Sequence, residues 1–90
     1  MQAWHVDGGH LFGRKCECPA HCLDVFIPLI DVPEELGPTE FIPRTHTLAG
    51  SAKVKSVLDG AGPEAVSKSQ RYKPALTAGT AILYDHRCAC

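Results

Sequence analysis

Leu23-Asp24-Val25-Phe26-Ile27-Pro28-Leu29-Ile30-Asp31 is the stretch on which the fold turns. Leu23, Val25, Ile27 and Leu29 recur at period two, the pattern of a half-buried β-strand. Phe26 and Ile30 place apolar groups on the opposite face, so the strand is predicted to be covered on both sides. Pro28 has no N–H to give to a ladder, which predicts an edge or a bulge there. Upstream, Gln2–Asp7 reads as a short strand broken by Gly8-Gly9, and residues 14–21 as a polar, cysteine-bearing loop. Downstream, Pro33–Pro38 is a turn-rich connection, Thr39–Ile42 a short strand, and Thr80–Tyr84 a β-rich run after the Thr77-Ala78-Gly79 turn. Residues 51–58 predict two turns of helix capped by Ser51, with Val54, Val57 and Leu58 on one face. Pro63 opens a second short helix through Ser69.

The whole is 90 residues, 44% hydrophobic and 21% charged, which is the balance of a soluble globular chain and excludes disorder. The six-residue apolar run Val25–Ile30 is far short of the roughly 20 residues of a membrane-spanning helix, so no membrane partner is expected. Nine basic against ten acidic side chains give a net charge of −1, which is no footprint for nucleic acid. Five cysteines cannot all pair internally. With no apolar leader before Asp7, they read as free thiols in a reducing compartment, hence an intracellular, cytoplasmic protein.

Chemistry is concentrated at His5-Val6-Asp7. Residues i and i+2 of a strand share a face, so an imidazole and a carboxylate converge there. One nitrogen and one oxygen donor suit a divalent first-row metal of the two-histidine, one-carboxylate kind. A competing reading uses the soft donors Cys16, Cys18, His21, Cys22, Cys88 and Cys90 in a small zinc-binding module, although their spacing departs from the Cys-x-x-Cys knuckle.

Four ordered blocks favour the first of these and leave the zinc module as an alternative. Trp4–Phe12 holds His-x-Asp, Leu23–Asp31 is the apolar strand, Gly37–His46 contains Gly-Pro-x-x-x-x-Pro-x-x-His, and Ala78–Arg87 ends in Asp85-His86-Arg87. In this order they resemble the phytanoyl-CoA dioxygenase family of Fe(II)/2-oxoglutarate-dependent oxygenases, with residues 13–21 and 50–73 as variable insertions. The resemblance implies a mainly β, double-stranded β-helix (jelly-roll) fragment with a short helical insertion, residues 1–90 forming a partial domain. It also implies an oxidoreductase that hydroxylates a small organic substrate while 2-oxoglutarate is decarboxylated to succinate.

By the same resemblance, His5 and Asp7 are iron ligands and Phe26 lies against the cosubstrate. The third ligand is expected three residues after Arg87, where Cys90 stands in place of histidine. No side chain is given a catalytic role. The arginine that grips 2-oxoglutarate has no counterpart among these residues. The expectation is therefore a truncated chain, inactive as given, with a non-catalytic relative as the alternative. Arg44 occupies a position often held by glycine, which puts the local backbone in question. Asp85 and Arg87 are expected to form a structural ion pair, and His86 to face solvent.

Overall fold

A computed structural model describes residues 2–13 and 15–90. The predicted loop over 14–21 opens on Arg14, which lies outside them. Two four-residue strands, β1 (Leu23–Phe26) and β2 (Ile82–Asp85), pair antiparallel in the register Leu23↔Asp85, Asp24↔Tyr84, Val25↔Leu83 and Phe26↔Ile82. The His86 N–H donates to the Cys22 carbonyl at 3.1 Å and carries the ladder one step further. Beyond it the chain bends and changes partners. His5 and Cys90 exchange both backbone hydrogen bonds at 3.0 Å, Gly8 N–H donates to His86 O at 3.1 Å, and Ile42 bridges Ala89. Residues 82–90 are thus a shared spine, joined first to β1 and then to both the N-terminal segment and residue 42.

Strand content is smaller than the sequence predicts, for a legible reason. Pro28, Pro33, Pro38 and Pro43 recur every five residues and deny the ladder a donor each time. Pairing in this region is accordingly reduced to isolated bridges, Val32↔Leu76 and Phe41↔Tyr72. The β-rich reading survives as one two-stranded sheet with these bridges around it. The period-two face of β1 is a correction as well. Leu23, Val25 and Ile27 are 52–57% exposed and Leu83 63%, so no second layer among the described residues buries this face.

The helical insertion starts earlier than Ser51. Thr47 is the cap, its Oγ1 accepting from Gly50 N–H at 2.9 Å, and α1 runs Leu48–Lys53. Ser51 lies inside the helix, buried, donating to Leu48 O at 3.1 Å. After a break at Val54 comes α2, Lys55–Leu58. The stretch from Pro63 forms two 3-10 turns, Pro63–Ala65 and Lys68–Gln70. Arg44 does adopt the left-handed backbone that favours glycine, at φ +68°. Gly50 makes room for it: a Cβ there would sit 1.9 Å from the Arg44 carbonyl oxygen.

Ile42, Val57, Val66 and Ala89 form the core, with Trp4, Val6, Val54 and Leu58 packed against it. Thr45 fastens its centre. Its buried hydroxyl donates to Ile42 O at 2.7 Å and accepts from Ala89 N–H at 2.8 Å, closing residues 42 and 89 onto each other. Thr45→Val keeps the shape and leaves both groups without this partner. It is expected to cost about 1–3 kcal/mol, read as a lower urea midpoint at unchanged slope.

Candidate metal centre

Alternation along the N-terminal segment builds the first donor pair. Trp4 and Val6 turn into the core, which directs His5 and Asp7 to the other side. His5 Nε2 lies 3.3 Å from Asp7 Oδ1, with both side chains about one-third exposed. Cis ligands of one divalent ion, at metal–donor distances of about 2.0–2.2 Å, stand about 3 Å apart. The far atom of each group is already engaged. His5 Nδ1 lies 3.0 Å from the Ala3 carbonyl; in the tautomer that donates to this oxygen, Nε2 keeps its lone pair for a metal. The Tyr84 hydroxyl donates to Asp7 Oδ2 at 3.1 Å, leaving Oδ1 turned towards the imidazole. The two predicted ligands therefore come together, each held by its outer atom.

Cys90 stands across from His5 through paired backbones, but its sulfur does not gather with the His5 and Asp7 donors into one cluster. Its thiol is pushed up to about 11 by burial and then by the negative charges of Asp7, Cys88 and Asp24. A metal must displace that proton before the sulfur can bind. Two donors thus fit the iron of a two-histidine, one-carboxylate centre, and the third does not. The Tyr84 phenol is likewise held protonated far above its usual range, by burial and by its bond to Asp7.

Phe26 meets this cluster through Tyr84, ring centroids 5.3 Å apart and edge to face. It does not line the cleft that His5 and Cys90 border. That cleft encloses about 360 Å3 and is walled opposite by Glu40, Arg71 and Lys73. Glu40 pairs with both cations, at 3.3 Å to Arg71 and 3.6 Å to Lys73. Phe26 instead lines a second cleft of about 400 Å3, with Phe41, Pro74, Leu76 and Ile82.

The thiols do not assemble as the zinc-module reading requires. Cys88 is buried and directed at the Thr45 hydroxyl (3.6 Å) and the Ile42 carbonyl (3.5 Å). Cys16 and Cys18 approach only each other, at 3.6 Å. All five cysteines are free. Asp85 and Arg87 form the expected ion pair, whereas His86 departs from expectation. It is half-buried, with Nδ1 2.7 Å from Asp24 Oδ2.

Among the described residues, the trio whose ligand atoms all lie within 4.8 Å is Cys22, Asp24 and His86. Sequence reasoning missed this trio because His86 lies more than 60 residues from Cys22 and Asp24. Only the β1–β2 register, which sets residue 22 opposite residue 86, could have revealed it. No helix among the described residues is long and apolar enough to cross a membrane.

Comparison with known proteins places the chain in a family. The family model described as phytanoyl-CoA dioxygenase covers residues 1–89. No curated protein and no solved structure matches the chain.

Proposed function

The chain belongs to the phytanoyl-CoA dioxygenase family, and from that premise we propose that it carries the iron-holding edge of a Fe(II)/2-oxoglutarate-dependent dioxygenase acting on a small organic substrate. Membership supports oxygenase-type chemistry and a cupin-like β fold; the β pairing described is the β1–β2 ladder and its bridges. The observation that carries the reading to particular residues is the pre-oriented pair. His5 Nε2 and Asp7 Oδ1 face each other at 3.3 Å while Ala3 O and the Tyr84 hydroxyl hold their outer atoms.

His5 and Asp7 would hold Fe(II), which supplies oxygen activation coupled to decarboxylation of 2-oxoglutarate. The chain's own contribution is positional. The Ala3 carbonyl fixes the imidazole tautomer, and Tyr84 stops the carboxylate from rotating away. The cleft beside His5 has the volume of a small-molecule pocket. Its Arg71–Glu40–Lys73 wall carries one net positive charge suited to a carboxylate. Phe26, behind Tyr84, supplies an aromatic flank.

With a protonated thiol as third neighbour, these ninety residues hold iron weakly and turn over little or no 2-oxoglutarate. A non-catalytic relative of the same fold is the alternative reading. The test is anaerobic Fe(II) titration with 2-oxoglutarate, followed by the visible charge-transfer band of the chelate and by succinate release in air. A weak band that disappears in both His5→Ala and Asp7→Ala is expected, with little succinate. A band unchanged in those variants would overturn the site assignment. Stoichiometric iron binding with sustained turnover would overturn the expectation of inactivity.

A further inference from the structure

The geometry points to a second metal site, for a thiophilic divalent ion of the zinc class, formed by Cys22, Asp24 and His86. Three observations converge on it. The first is register: residue 22 lies directly across the ladder from residue 86, whose N–H bonds the Cys22 carbonyl at 3.1 Å. Asp24, two residues along β1, shares that face. The second is convergence: a sulfur, a carboxylate oxygen and an imidazole nitrogen all lie within 4.8 Å of one another. Ligands of a tetrahedral zinc, at about 2.0–2.3 Å from the ion, stand roughly 3.3–3.8 Å apart, so small side-chain adjustments close the site.

The third is restraint. Gly8 backs the imidazole so closely that a Cβ there would come within 2.0 Å of His86 Cδ2. Asp24 holds the other side of the ring at 2.7 Å. Cys22 itself is exposed, which gives an ion access from solvent.

One sulfur, one nitrogen and one oxygen donor are a borderline-soft set. It favours zinc over the hard cations, with water in the fourth position. On binding, the Cys22 S–H bond breaks, its proton passes to solvent, and the thiolate pair forms the bond to the metal; the proton shared between His86 Nδ1 and Asp24 Oδ2 passes by way of solvent to the far ring nitrogen, freeing Nδ1 and the carboxylate as ligands. No redox partner is needed. The site is independent of His5–Asp7 and does not rest on the oxygenase reading.

The test is titration of the reduced 90-residue chain with Co(II) as a spectroscopic stand-in and with Zn(II) against a chromophoric chelator. One equivalent is expected to give the thiolate-to-cobalt band of a tetrahedral site. Cys22→Ser should abolish that band. Cys22→Ser and His86→Gln should weaken Zn(II) binding by more than the roughly 10–100-fold that loss of a supporting outer partner costs. Cys16→Ser and Cys90→Ser should leave the band in place. A band that survives Cys22→Ser, or one lost with Cys90→Ser, overturns the proposal. A second readout needs no variant: Zn(II) should slow alkylation of Cys22 but not of Cys16 in the wild-type chain. Equal labelling of Cys22 with and without zinc also overturns it.

Discussion

Cys90→His is expected to tighten Fe(II) binding to the chain by at least 10–100-fold near neutral pH, the largest single gain any one substitution should produce. Residue 90 is already paired to residue 5 by two backbone hydrogen bonds, so a side chain there starts from the strand next to His5 and Asp7. The present thiol joins a metal only by losing a proton that burial and the neighbouring carboxylates, Asp7 among them, hold to about pH 11. A neutral imidazole needs no such loss at pH 7 and adds a second nitrogen donor, restoring the two-histidine, one-carboxylate set. Anaerobic titration of both forms, with His5→Ala as a background control, reads the gain. Equal affinities would mean that residue 90 does not reach the ion held by His5 and Asp7.

The second large effect is on stability. Asp85→Asn should destabilise the chain by about 3–5 kcal/mol, because it strands a buried charge. Only 2% of the Arg87 side chain is exposed. Its Nε donates to Asp85 Oδ1 at 2.9 Å and its NH2 to Oδ2 at 2.8 Å, while NH1 reaches the Cys18 carbonyl at 3.1 Å. The Arg87 backbone N–H adds a further bond to Oδ1 at 2.9 Å. Since small domains are stable by about 5–15 kcal/mol, this loss takes a large share. Urea unfolding at pH 7 measures it, and replacing both residues, Asp85→Leu with Arg87→Met, should recover much of it.

The same pair sets an acid dependence. Arg87 holds the Asp85 carboxyl down to about 2, below the usual carboxylate value near 3.9. A depressed carboxylate contributes its full stabilisation above the unfolded value, and the contribution fades as pH falls from about 4 towards 2. About 2 kcal/mol should disappear across that window in the wild type and be missing from the Asp85→Asn slope.

Local chemistry made part of this legible from residues alone. His5-Val6-Asp7 announces a shared face, Thr77-Ala78-Gly79 a turn, and Asp85-x-Arg87 a fork that one carboxylate can fill. Arg44, read as standing where glycine is usual, indeed has φ +68°. What was not legible depended on distant partners. Leu23, Val25 and Ile27 alternate correctly, yet alternation says only which residues share a face, and no second layer among the described residues buries theirs. The four evenly spaced prolines were visible, but their joint effect of reducing pairing to single bridges appears only once the partners are placed. Ser51 offered a good cap in isolation, but Thr47 stood one turn earlier with the same chemistry and a free Gly50 N–H.

The spine at residues 82–90 has a consequence for how the chain could go wrong. In His5-x-Asp7 with Cys90, and in Cys22-x-Asp24 with His86, two donors alternate on one segment and a third residue is backbone-paired to it; the second set alone brings its ligand atoms within 4.8 Å. Both thirds belong to the same nine residues. Sliding that segment by a single position would turn His86 and Cys90 to the wrong side of the sheet together. An ion seated at Cys22, Asp24 and His86 would therefore clamp the alignment that also sets residue 90 beside residue 5. Fidelity of strand pairing becomes something a metal could enforce at a distance.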